Sequence, residues 1–198
     1  MDFESYQKAL RAEPFDEYTV EGILDEFFHS GIPHVFNGDA AGHGRFRRSL
    51  ANEINSAFGI TACHPNHVVI CGSAHLGYSP VPEKLGKRFD GDTSDIDVAI
   101  LLPDLFDRWW LELVDPRVSL GSHRSTIADD LLNGFINPHF VRTATTTGQK
   151  WWTLFGGFTA GGFSRVRGRI YRGPAFMQNY HRLSVMRGRE RLLGRRGF

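Results

Sequence analysis

Apolar residues recur at helical spacing in three early segments, 2–12, 20–30 and 46–58, where Ile23 and Phe27, then Leu50, Ile54 and Phe58, mark the inward stripes. Gly31 and Gly59 stand where such helices stop. Between them, 36–44 reads as a loop from its turn residues Asn37-Gly38 and Gly42-His43-Gly44. The period then changes. Val68-Val69-Ile70-Cys71 and the run from Val98 to Leu102 are short continuous apolar stretches, the pattern of strands buried on both faces. Pro103 ends the second run, and helices are predicted over 105–114 and 126–135, the first carrying the adjacent Trp109 and Trp110. Thr143 to Gly148 reads as a polar loop, 165–171 as a half-exposed strand, and Pro174 as the first residue of a last helix. The expected class is therefore α/β (α+β), a small mixed sheet flanked by helices, in one domain over 1–198. It has a helical part at 1–60, a sheet core at 61–172 and a C-terminal helix at 173–198.

The most specific chemistry lies at the head of the second strand, in Ser94-Asp95-Ile96-Asp97. Alternate residues of a strand share a face, so the two carboxylates would stand about 7 Å apart at the backbone and point the same way. Two such acids beside a buried apolar run repel each other and resist desolvation unless a divalent cation neutralises them. The first strand runs directly into Gly72-Ser73, where glycine permits a sharp turn and close approach to a ligand and serine offers a hydroxyl. A phosphate-sized corner next to a cation site suits phosphoryl and nucleotidyl transfer.

Cys71-Gly72-Ser73 followed by Asp95-Ile96-Asp97-Val98 resembles the signature of the nucleotidyltransferase superfamily that includes DNA polymerase β. The resemblance implies that fold, with Asp95 and Asp97 holding Mg²⁺ or Mn²⁺ and Gly72 and Ser73 gripping the phosphates of a nucleoside triphosphate. Two departures stand out. A loop from Tyr78 to Arg88 lengthens the gap and brings in Lys84, Lys87 and Arg88 as expected neutralising charges. The third carboxylate that the superfamily often supplies from a later strand is missing from 165–171, leaving Asp129 and Asp130 on a predicted helix. The longer string Gly72 to Pro80, with Ser94 to Pro103 and Leu105-Phe106-Asp107, is similar to a narrower bacterial group linked to anti-phage defence, the Hailong type. Its members make DNA oligomers from deoxynucleotides and can prime on a tyrosine near the C-terminus. That implies dATP or ATP as substrate, a nucleic-acid oligomer as product, Tyr180 (or Tyr171) as acceptor and a partner effector protein. Nucleotidylation of a partner protein and a non-catalytic binding module are the rival readings.

Composition narrows the classes further. With 198 residues, 41% of them hydrophobic, the chain can bury one good core. No apolar run reaches the length of a membrane span, Met1 to Glu4 lacks the start of a secretory signal, and two cysteines make no disulfide framework. A cytoplasmic protein is expected. The net charge of +1 hides an asymmetry: 1–40 holds nine acids against Lys8 and Arg11, while 164–198 holds ten Arg and only Glu190. Such a tail either seeks nucleic acid or pairs with the acidic N-terminal segment. Trp151 or Trp152 stacking on a base, with Lys150 on a phosphate and Gly156-Gly157 and Gly161-Gly162 as hinges, would make a mobile flap; core packing of the tryptophans is the alternative. Cys63, His67, Cys71 and His75 recur every four residues. Pro65 and the β-branched run make a helical zinc face untenable, since on a strand His67 and Cys71 lie about 13 Å apart. Tyr180 falls on one helix face with Phe176 and Leu183, the arrangement of core packing.

Overall fold

The computed structural model describes residues 2–160, 162–163 and 165–194. Among them it is a mixed α+β structure with nine α-helices and one four-stranded mixed sheet of order β1-β2-β4-β3. The chain forms two compact units, the first drawn from 1–40, 70–96 and 178–198 and the second from 41–69 and 97–177. No helix among the described residues is long and apolar enough to cross a membrane.

In the first unit, α1 (Phe3–Leu10) and α2 (Glu17–Ile23) each begin at an aspartate. Asp2 accepts the Ser5 N–H at 2.7 Å and Asp16 the Thr19 N–H at 2.9 Å, which satisfies one orphan donor at each start. The expected helix over 20–30 is present, but its second half, Leu24–His29, is wound as a π-helix. Leu24, Phe27 and Phe28, at i, i+3 and i+4 spacing, are all buried in a cluster with Tyr6, Leu10, Leu76, Tyr78 and Val185. The inward face of α9 (Pro174–Leu192) in this unit is His181, Val185, Gly188 and Arg189. That corrects the expectation of a Phe176, Tyr180, Leu183 face: Leu183 is 44% exposed and Tyr180 half-buried at its flank. Polar residues took the buried stripe because they find partners there. Arg189 donates to the Ala12 carbonyl at 3.0 Å, pairs with Glu13 and lies 4.0 Å over the Phe15 ring, while Arg182 pairs with Glu21.

The second unit holds α3 (Ala40–Phe58) and the body of the sheet. The helix starts six residues before the expected position and absorbs Gly42-His43-Gly44. Asn37 at φ +46° and Gly38 at φ +85° complete the turn by themselves, so the chain is free to wind from Ala40 onward. Strand β1 (Val68–Cys71) and β2 (Ile96–Leu101) match the two apolar runs. After β2 come α5 (Pro103–Leu113) and α6 (Arg124–Leu132). The helix predicted to reach Phe135 stops early, because Gly134 turns at φ +69° with the Phe176 ring against it. Phe135 and Ile136 then form β3 (Phe135–Ile136), antiparallel to β4 (Val166–Tyr171) in the register Phe135↔Tyr171, Ile136↔Ile170. α7 (Pro138–Val141) and α8 (Thr146–Gly157) complete this unit, and α4 (Gly72–Leu76) belongs to the first.

The polar stretch 143–148 is not a plain loop. Buried Thr145 caps α8 through the Gly148 N–H at 3.0 Å and accepts the Trp109 indole N–H at 2.9 Å. Glu112 accepts both the Thr147 N–H and its hydroxyl, at 2.9 and 2.5 Å. Trp109 and Trp151 pack with centroids 5.4 Å apart, and the Trp151 indole donates to the Gly168 carbonyl at 3.1 Å.

Two glycines on regular elements face opposite surroundings. A Cβ on Gly168 of β4 would lie 2.1 Å from the Phe155 ring, whereas one on Gly188 of α9 would meet Leu10, Pro80 and Tyr6 at 3.7–3.8 Å. Gly168→Ala is expected to destabilise the protein by about 1–3 kcal/mol through overpacking. Gly188→Ala is expected to stabilise it by about 0.5–1 kcal/mol, because it removes a flexible residue from a helix interior and fills ordinary contact space. Urea unfolding midpoints of the two variants, moving in opposite directions, check both.

Candidate active site

Of the residues singled out above, Gly72, Ser73, Lys84, Lys87, Arg88, Asp95 and Tyr180 belong to the first unit, and Asp97 and Lys150 to the second. In the first unit the chain leaves β1 at Cys71 and turns at Gly72 with φ +61°, a conformation that favours glycine. Ser73 is half-buried, while Ala74, His75 and Leu76 anchor the short α4 in the core and Gly77 closes it at φ +86°. The Gly77 Cα is pressed against the His34 ring, where a Cβ would lie 2.9 Å from Nδ1.

The inserted loop is ordered. Tyr78 and Arg88 form an antiparallel bridge, the Ser79 N–H donates to the Lys87 carbonyl at 2.8 Å, and Gly86 returns a bond to the Ser79 carbonyl at 2.9 Å. Gly86, at φ +80°, sits against the Phe3 ring of α1, and the Phe3 and Tyr78 rings are 5.1 Å apart. Pinned in this way, the loop holds Lys84, Lys87 and Arg88 at its exposed rim.

Asp95 follows a tight turn organised by Asp90, whose role the sequence reading missed. One Asp90 carboxylate oxygen accepts the Asp92 N–H at 3.0 Å and the other the Thr93 hydroxyl at 2.7 Å, while the Ser94 hydroxyl accepts the Asp90 N–H at 3.2 Å. The Thr93 hydroxyl, then the Asp92 N–H, hold the Asp90 carboxyl below the usual carboxylate range. The signal was present in Asp90-Gly91-Asp92-Thr93-Ser94, since Asp bonds its own backbone two residues on. Past this turn Asp95 is partly exposed and Ile96 buried.

In the second unit, Asp97 is exposed at the second position of β2, ahead of buried Val98, Ala99 and Ile100. Lys150 is exposed on α8. The expectation of a flap carrying Trp151 is overturned: Trp151 is 1% exposed, stacked on Trp109 and Phe155 inside the core, and Gly156 and Gly157 are the last turn of the same helix. Trp152, one residue on, is 38% exposed. Gly161, Arg195 and Arg196 lie outside the described residues. β4 carries Arg167 and Arg169 and no acid, and Asp129 and Asp130 sit on α6. Burial, helped by neighbouring Asp129 and opposed by Arg169, raises the Asp130 carboxyl to about 6.

No family model matches the chain, and no curated protein or solved structure matches it significantly. The donor set at the strand head fits a hard cation: Mg²⁺ keeps most of its waters and binds through one or two carboxylates together with substrate phosphates. Among the described residues no three His, Cys, Asp or Glu side chains group as metal ligands.

The Asp130 carboxyl is raised in the fold, so its protonated form is the favoured one. The stability it contributes is complete below about pH 4 and is lost as pH rises through about 6. Asp130→Asn is therefore expected to match the wild-type melting temperature at low pH and to exceed it above pH 6. Thermal unfolding across that pH range checks the sign.

Proposed function

We propose that this protein is a magnesium-dependent nucleotidyltransferase, of the fold its motif resembles, that moves a nucleoside monophosphate from a (deoxy)nucleoside triphosphate to a hydroxyl and releases pyrophosphate. One observation carries the reading. A strand that ends in a left-handed Gly72 beside Ser73 neighbours, in the sheet, the strand headed by the acid pair, and Ile96 between the acids is buried while Asp95 and Asp97 keep access to solvent. Asp95 and Asp97 would hold the cations, which when bound neutralise phosphate charge and polarise the phosphorus–oxygen bond that breaks. The Ser73 hydroxyl and the backbone after Gly72 bind and orient the phosphate chain. Lys84, Lys87 and Arg88 offset its remaining charge from the ordered loop, and Lys150 is a further candidate.

The acceptor favoured by the narrower resemblance is a growing oligonucleotide, oligodeoxyadenylate made from dATP, begun on the Tyr180 hydroxyl in a cytoplasmic defence setting with an effector protein as partner. A binding module without chemistry is the rival, favoured by the arginines that β4 carries in place of an acid.

Incubating the purified protein with each labelled dNTP and NTP plus Mg²⁺ or Mn²⁺ tests the reading. A ladder of products is expected, and Asp95→Ala and Asp97→Ala should each lower its rate by at least about a hundredfold, since each removes several kcal/mol of charge stabilisation. Label on a partner protein would move the acceptor, and no label with any nucleotide would leave the binding module. Tyr180→Phe is expected to abolish label retained on the protein itself; initiation at the wild-type rate would remove the tyrosine primer.

A further inference from the structure

Trp152 is the neighbour of a core tryptophan yet is 38% exposed. Two guanidinium groups lie over its ring: Arg142, at the end of α7, at 5.0 Å from the centroid, and Arg167, on β4, at 5.9 Å. Both arginines are exposed. These distances are within cation–π range, so the ring helps to hold two positive charges at the surface beside an exposed aromatic face. Lys150, on the same helix as Trp152, is exposed as well.

We propose that Trp152, with Arg142 and Arg167, is a stacking platform for single-stranded nucleic acid. The indole meets unpaired bases, and the positive charge of the two arginines attracts the phosphates between them. A duplex does not satisfy this arrangement, because its bases are already stacked on one another. The identity of the bound strand as the acceptor that is lengthened rests on the nucleotidyltransferase reading; the binding itself does not.

The test is fluorescence anisotropy of a labelled oligodeoxyadenylate of about a dozen nucleotides, in EDTA and across a salt series, with the full-length protein. The wild type is expected to bind, with affinity falling steeply as salt rises. Trp152→Ala should weaken binding by about tenfold or more, and Trp152→Phe should keep most of it. Arg142→Gln and Arg167→Gln should each make the salt dependence shallower by a little under one power of salt concentration. Melting temperatures equal to wild type establish that the variants are folded, as a half-exposed side chain predicts. No binding by the wild type, unchanged affinity in folded Trp152→Ala, or equal competition by the unlabelled duplex would each overturn the platform. Absent synthesis with binding intact would remove the transferase reading and leave the platform standing. Normal synthesis with binding indifferent to Trp152→Ala would do the reverse.

Discussion

Taking a carboxylate out of water without a partner costs several kcal/mol, and in this chain that cost dictates which end of β2 stays open. Val98, Ala99 and Ile100 are consecutive and all buried, which requires cover on both faces of the strand. Acids cannot enter such a stretch. They stand at its head, where Asp97 is exposed and Asp95 partly so, and the Asp90 turn fixes the direction from which the chain arrives. The chemistry proposed for the protein sits there because the rest of the strand has no room for charge.

The arginine-rich C-terminal segment is used in a way its composition conceals. Arg189 and Arg182 meet Glu13 and Glu21, so part of the opposition between an acidic start and a basic end is satisfied inside the first unit. In the second unit Arg172 pairs with Asp107 at 3.1 Å and Arg169 lies over the Phe135 ring. Guanidinium suits this work better than ammonium, since one fork serves a carboxylate, a carbonyl and an aromatic face together, as Arg189 does. Counting arginines therefore overstates the surface available to a polyanion.

The tandem tryptophans show a second division of labour. Adjacent helical residues point about 100° apart, so a pair at a core boundary sends one ring in and one out. Trp109 and Trp151 are buried against each other, while Trp110 and Trp152 remain 39% and 38% exposed and each has an arginine over its ring. The threonines beside them act as structural polar groups: Thr145 and Thr147 take up an indole N–H, a helix start and the Glu112 carboxylate, so that few buried donors in this corner are left unpaired.

What was legible in the sequence was whatever depends on near neighbours. The apolar runs of β1 and β2, the turns at Gly31, Gly59 and Gly72, the proline start of α9 and the alternation around Ile96 follow from backbone sterics and side-chain period, which act over a few residues. Tertiary structure alone decided that α3 begins at Ala40, that Phe135 leaves its helix for a strand, that Trp151 is core and Trp152 surface, and that α9 turns His181 and Arg189 inward while Leu183 faces out. Each of those choices is made by a partner distant in the chain, such as Phe176 against Gly134 or Glu13 against Arg189, and local pattern carries no record of which distant side chain will arrive.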